Sequence, residues 1–510
     1  MLSVLLGLVD ILCLLDCYYL VVVEPPVPFV ASLAIAGLDI SNVHLKRPEL
    51  VSELHALVHV NKVVLISAPM GIGKTSLLTL FANKHPYNLH YYSMNDISPA
   101  VLLTRLDIVP NEACLRSGSA LMQNTEPTVI ILEDCQVYYN EQYGTFWERI
   151  VKSFQWPVHV HIILTATRSI SFGLESPTSF SALPKIERHQ LLLNDAESHE
   201  MLTLVAPVGL NTELRHHNLM NAMVLSCNGL VGALRICIST LNQNFRTAPD
   251  KSENALLRYF FSVDLVGHLE RCFTVQANAI AVKLIPVLVR LLTARENVVA
   301  GGDYSYLLRT GILVVNNNVL EYSSPLASSF VTRLLFPHRL NSNVMPDNLA
   351  SLVRAAVGKM SATALQQSVV DDIDKPKEAV YQHMFMQALH ACTPASVLIC
   401  PELSRVFPDE TIQAGTISGE LDFYLNSDLR WGIELLVNGS RYGEHMSRFE
   451  NGGKYVPLQM KDYAVVDLRK GDPTNVQKHE KRITVFFEHN FKSCAILEGT
   501  NSTYTVTLNE

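Results

Sequence analysis

Residues Lys62–His85, KVVLISAPMGIGKTSLLTLFANKH, decide how the first half of this chain folds. Val63 to Ile66 form a short apolar, β-branched run of the kind that fills a buried parallel strand. Leu77, Leu78, Leu80 and Phe81 recur at helical spacing. Between them lies APMGIGKT, so the order is strand, loop, helix. Gly71 and Gly73 let the backbone curl until its N–H groups face an anion at the start of the helix.

That order defines a phosphate-binding loop, with Ala68, Gly71, Ile72, Gly73, Lys74, Thr75 and Ser76 as its residues. Lys74 is placed to reach the terminal phosphates and Thr75 to hold magnesium. Ala68 stands where the usual pattern has its first glycine, a mild substitution at the tight turn leaving the strand. A second strand is expected in Thr128–Gln136, TVIILEDCQ, where four apolar residues end in adjacent carboxylates, Glu133 and Asp134. In this Walker B-like segment one acid orders the metal shell and the other polarises the attacking water, because phosphoryl transfer is chiefly electrostatic chemistry. Which acid does which stays open, since the order is Glu then Asp. A third strand is expected in Val158–Ser169, with Thr167 or Arg168 at its end as a sensor of the terminal phosphate, or as a solvated end to a core strand. The cofactors implied are ATP or GTP and Mg2+.

The 510 residues point to roughly three domains. A composition of 48% hydrophobic and 17% charged residues excludes disordered and collagen-like classes. The net charge of −8 restricts any nucleic-acid contact to a local basic surface. Ten scattered cysteines offer no structural zinc pattern and suit a reduced chain with buried thiols. The run from Met1 to Val23 is apolar but lacks a basic start and carries Asp10 and Asp16. A signal or anchor and a buried element at the edge of the first domain are its two readings, and membrane attachment is the less favoured. The VEPPVP after it reads as a linker.

From Glu197 to Leu292 apolar residues recur every three or four positions, which predicts a helical lid or bundle. Tyr304–Leu335 reads as helix, turn at Gly311, two strands joined through Asn316 to Asn318, and helix, a winged-helix-like order. It carries no Lys or Arg between Ile312 and Phe330, which favours a packing module over a DNA reader. Chemistry concentrates again near the C-terminus. Glu378 and Gln382 share one helix face, while GELDFYL and RWGIELL place Asp422 and Glu434 in consecutive strands with Ser427 and Asp428 between them. Two antiparallel strands then bring both acids to one hard cation, as a magnesium-dependent phosphodiesterase needs, and Glu378 adds a third oxygen.

This helix, Asp, Glu order resembles the restriction-endonuclease-like PD-(D/E)XK superfamily, whose second acid is followed two residues on by a lysine. Here that position is Leu436, with Arg448, Lys454, Lys461 or His445 as substitute cations. The longer segments 419–469 and 483–491, the phosphate loop, ILEDCQVYYNEQYGTFWERI and GILVVNNNVLEYSSPLASSF resemble Crinkler-type (CRN) effectors of fungi and oomycetes. The resemblance implies a triphosphatase joined to a nuclease-like domain acting on DNA, in a secreted protein working in the host nucleus; otherwise the chain is intracellular. It maps Asp422 and Glu434 onto the metal acids, Glu378 onto the helix acid, and His445, Arg448 and Phe449 onto an HxxRF element, with Asp467 on a later strand. For His445 and Arg448, bracing the sheet and touching phosphate stand as equal readings. A ubiquitin-like header, also implied, has no counterpart before Arg47.

The expected architecture is α/β and multidomain: an apolar segment and linker (1–46), a P-loop domain with a parallel sheet (47–195), a helical lid (196–280), a winged-helix-like module (281–345) and a nuclease-like α/β domain (346–510). Nucleotide control of a DNA nuclease is the expected function. The alternative is a nucleotide-switched interaction or DNA-binding protein whose nuclease fold no longer cuts. The oligomeric state is not readable from the sequence.

Overall fold

The computed structural model describes residues 38, 44–109, 114–139, 141–148, 150–151, 154–167, 183–205, 216–273, 287–288, 291, 296–297, 304–335, 346–369, 376, 378–394, 397–401, 421–426, 429–439, 441–451, 453, 455–458, 460–471, 478–499 and 502–509. The run from Met1 to Val23, Arg168, Gly419, Ser427, Asp428 and Lys454 lie outside the described residues. Among the described residues no helix is long and apolar enough to cross a membrane.

The nucleotide half is built on β1 (Val63–Ser67), β2 (Asn88–Ser93), a small hairpin of β3 (Ile108–Val109) and β4 (Cys114–Leu115), β5 (Thr128–Glu133), β6 (Val160–Ala166) and β7 (Lys185–Glu187). The main sheet runs β2-β5-β6-β1-β7 and every pairing in it is parallel. All strands therefore end on one edge, where Ser67, Ser93, Glu133 and Ala166 lie side by side. β1 and β5 are buried along their whole length. The period-2 alternation of the strands divides their side chains between two cores. Val64, Ile66, Val129 and Ile131 join one, and Val63, Leu65, Ile130 and Leu132 join the other.

Helix Pro48–Val60 packs against helix Lys74–Lys84 on the first of these cores. The same core extends into helices Asp195–Val205, His217–Cys227, Val231–Phe245, Glu253–Phe260 and Val263–His268, the expected helical segment. Ser252 and Ser262 cap the last two through their side chains, which marks where each begins.

The winged-helix-like order also appears: helix Ser305–Arg309, β9 (Leu313–Asn316), β10 (Val319–Tyr322) and helix Pro325–Leu335. Asn317 and Asn318 both take left-handed φ values, 50° and 63°, as a two-residue hairpin loop requires. A third strand, β8 (Glu296–Asn297), pairs antiparallel with β10. This module rests on the phosphate loop. A Cβ added at Gly311, whose φ is 74°, would lie 2.6 Å from Pro69 Cβ.

The C-terminal half is a seven-stranded sheet, β11 (Ile399–Pro401), β12 (Phe423–Leu425), β13 (Trp431–Val437), β14 (Asp462–Lys470), β15 (Arg482–Phe487), β16 (Ser493–Glu498) and β17 (Ser502–Thr507), in that order. β11-β12-β13 are antiparallel, β13-β14-β15 parallel and β15-β16-β17 antiparallel. Helices Leu349–Lys359 and Glu378–Cys392 cover it and share its core.

Candidate functional site

The loop between β1 and helix Lys74–Lys84 takes φ values of 71° at Gly71 and 99° at Gly73, a region open to glycine at no steric cost. Lys74 is only 8% exposed and its Nζ donates to Ala68 O at 2.7 Å and Pro69 O at 2.9 Å. Burial pushes its pKa down to about 8, against the opposing pull of Asp134 and Glu133. Ala68 is buried, and its N–H donates to Ala166 O across the sheet at 3.1 Å.

The two acids at the end of β5 have different partners. Thr75 Oγ1 donates to Glu133 Oε1 at 2.5 Å, and the Tyr91 hydroxyl donates to Glu133 Oε2. Asp134, with a left-handed φ of 57°, accepts from Asn95 Nδ2 at 2.6 Å and Gln136 Nε2 at 3.2 Å. Gln136 also accepts from the Thr167 N–H at 3.0 Å, which ties the end of β6 to this corner. Tyr91 is held far above its ordinary pKa by burial and by the Glu133 charge, so it remains a donor.

Lys74, Thr75, Glu133, Asp134 and Thr167 line a cleft of about 640 Å³, within the size range of sites that hold a nucleotide. Its phosphate end holds Gly71, Gly73, Lys74, Thr75, Ser76, Glu133, Asp134 and Thr167. Its other walls are Leu38, Leu45, Leu50, Leu193 and Met201, with His44 and Arg47 beside them. Arg235, on helix Val231–Phe245, faces the loop from the lid side. The lid touches the loop directly: Gly232 N–H donates to Gly71 O at 2.7 Å, so close that a Cβ on Gly232 would lie 2.5 Å from that oxygen. The oxygen-only donors Thr75, Glu133 and Asp134 suit a hard cation such as magnesium.

Tyr91, Asn95, Gln136 and Arg235 are absent from the sequence reading. Gln136 follows Asp134 by two residues, while the other three reach the site through tertiary packing; the local signal for Asn95 is the polar NDIS after β2, on the edge where parallel strands end.

In the C-terminal half Asp422 lies immediately before β12 and faces Glu434, because Phe423 pairs with Ile433. Asp422 accepts from Gln382 Nε2 and from the Leu435 N–H, each at 2.6 Å. Burial, then the charges of Glu434 and Glu378, hold the Asp422 carboxyl well above the usual carboxylate range. Glu378 is exposed at the start of its helix. Glu434 is 1% exposed and both of its oxygens are engaged: Tyr455 OH donates to Oε1, Arg448 lies 3.4 Å from Oε1, and His445 Nδ1 is 2.7 Å from Oε2. Phe449, the last residue of the HxxRF element, stacks on Tyr463 at 4.2 Å. Leu436 packs with Met446 and Val465 in a small apolar cluster. Asp467 is fully buried and bound by Arg482, Arg469 and the Gly439 N–H. Among the described residues no group of three His, Cys, Asp or Glu side chains is arranged to hold a metal.

Fold and site together define the first half as a P-loop nucleoside triphosphatase fold: a parallel sheet, a phosphate loop opening a helix, and carboxylates two strands away on the same edge. No protein-family model matches the sequence, and no curated protein matches it. Among solved structures, a Walker-type ATPase of Pyrococcus abyssi is similar at 13% identity and a TM-score of 0.34, covering 56% of this chain and 96% of that one. The RuvB Holliday junction branch migration motor of Thermotoga maritima is similar at 12% identity and a TM-score of 0.30, covering 55% of this chain and 92% of that one.

Proposed function

We propose that the chain is a magnesium-dependent nucleoside triphosphatase whose nucleotide state acts on a C-terminal binding domain. The observation that carries the first part is the division of labour at the end of β5. Thr75 already contacts Glu133, the geometry of a pair that shares one metal shell, so Glu133 is the metal-side acid. Asp134, held by Asn95 and Gln136, is left to orient and polarise the attacking water. Bound magnesium would neutralise charge on the phosphates, with Lys74 and Arg235 among the residues lining the same cleft. The apolar walls suit a purine, and among the described residues the carboxylates lining the cleft, Glu133 and Asp134, lie at its phosphate end. Guanine presents adjacent N–H donors that a carboxylate would pair, so ATP is the favoured nucleotide.

Phosphate release from ATP and GTP tests this. Asp134→Asn should keep Mg-ATP binding and lower turnover by about 100-fold or more. Glu133→Gln should instead weaken the dependence on magnesium. Equal turnover in wild type and Asp134→Asn would remove Asp134 from the role.

For the C-terminal domain the favoured reading is binding without cutting. Glu434 has Tyr455, His445 and Arg448 around it, and Leu436 fills with apolar packing the position where the PD-(D/E)XK pattern has a lysine. A magnesium-dependent DNA nuclease is the second reading, favoured by the Asp422–Glu434 pair, whose mutual repulsion a divalent cation would relieve. Supercoiled plasmid incubated with the full chain, magnesium and ATP decides between them: nicking that disappears in Asp422→Ala supports the nuclease, and its absence supports binding. DNA in a host nucleus is the setting that the sequence resemblance to Crinkler effectors implies, and fractionating cells that express the chain tests it.

A further inference from the structure

We propose that strand β12 is the mechanical link through which the nucleotide lid acts on the acid pair of the C-terminal domain; this rests on the nucleotide-binding reading above. Alternation along β12 places it in two cores at once. Phe423 and Leu425 belong to the core of the C-terminal sheet, whereas Tyr424, with Leu398, Cys400 and Leu421, belongs to the core shared with Phe260 and Phe261 of the lid. A strand packed on both faces by different halves cannot follow one half without disturbing the other.

The residues bounding β12 define what it joins. Asp422, at its start, is bound to the β13 backbone through Leu435 N–H. Asn426, at its end, is fully buried and donates from Nδ2 to Arg258 O at 2.8 Å and to Phe261 O. Arg258 O is one of the last-turn carbonyls that helix Glu253–Phe260 cannot satisfy internally. The C-terminal half thus caps a helix of the lid from 168 residues away. Only the amide N–H group fits two carbonyls, which fixes its orientation.

On the lid side the connection continues to the phosphates. Helix Glu253–Phe260 packs on helix Val231–Phe245, whose N-terminal part carries Gly232, bonded to Gly71 of the phosphate loop, and Arg235, lining the cleft. A shift of the lid when Arg235 meets phosphate is therefore delivered to Asn426, then along three residues to Asp422.

Hydrogen exchange on the full chain with and without magnesium and ATPγS tests the link. Wild type should show slower exchange at the phosphate loop and also at β12 and β13, the latter by about tenfold, within the usual span of coupling free energies. Asn426→Leu, which matches the volume and removes both donors, should keep the first effect and lose the second. Protection of the phosphate loop with no change at β12 in wild type overturns the link and leaves nucleotide binding intact. No protection at the phosphate loop overturns nucleotide binding and the link with it. Undiminished β12 protection in Asn426→Leu overturns the role of Asn426. The wild-type comparison decides the link even if the variant does not fold.

Discussion

Burial lowers the Lys74 ammonium to about 8 from its ordinary 10.5, and this has a consequence for binding as well as for folding. Between about pH 8 and 10.5 the unfolded chain holds more protons at this position, so its contribution to stability rises with pH across that window. Nucleotide affinity moves the other way, because a neutral amine binds phosphate poorly. Triphosphate in the cleft raises the Lys74 pKa, so binding near pH 8.5 takes up a proton, the value lying between about 8 and 10.5. Calorimetry in two buffers of different ionisation enthalpy should return different apparent heats; equal heats would mean Lys74 does not titrate there. The sequence marks Lys74, Thr75, Glu133 and Asp134 because the loop pattern is local and the β5 acids end an apolar run, and all four line one cleft. Tyr91, Asn95 and Arg235 were not marked, since strand order brings the first two to the acids and lid packing brings Arg235 to the cleft.

Elements that follow one period were the readable ones. β1, β5 and β6 stood out as apolar runs, and the β9-β10 hairpin as an Asn-rich two-residue loop. β8 is two residues long and has no pattern of its own; it exists because β10 offers it an edge. The positions of Asp422, just before β12, and Glu434, in β13, opposite each other were readable from the hairpin, but the surroundings of Glu434 were not. Tyr455 lies 21 residues on and arrives through the fold. Leu436→Lys tests how far the apolar cluster is committed. With Leu436 only 3% exposed, a charge there should destabilise the chain by about 3 kcal/mol, read by urea unfolding, and should yield no nicking. A gain of magnesium-dependent nicking would show that the lysine alone was missing. At Gly311, the left-handed φ and the 2.6 Å approach to Pro69 act together, and Gly311→Val should cost about 2 kcal/mol. An unchanged melting curve would mean the module does not bear on the loop.

At the level of the whole molecule, the two halves are joined through a buried surface and not only through the chain. A ligand bound to the native state alone adds about 2.7 kcal/mol at a hundred times its Kd. If β12 transmits that stabilisation, magnesium with ATPγS should raise the melting temperature of both halves together, followed by limited proteolysis at increasing temperature, and should raise neither in Lys74→Ala. Protection confined to fragments from the nucleotide half would show that the halves melt independently. The sequence suggested nucleotide control of the C-terminal half but not a path for it. Shifts in periodicity marked where strands give way to helices, but an interface formed by single residues such as Asn426 leaves no pattern along the chain.

Gly232 sets two preferences against each other. Near the start of a helix, alanine is favoured over glycine by about 1 kcal/mol, and a survey of substitutions guided by helix preference would choose it. Yet an alanine methyl would meet the Gly71 carbonyl at 2.5 Å. In a library covering every substitution of the chain, position 232 should therefore tolerate almost nothing. The most restricted lid residue would then be the one with no side chain at all.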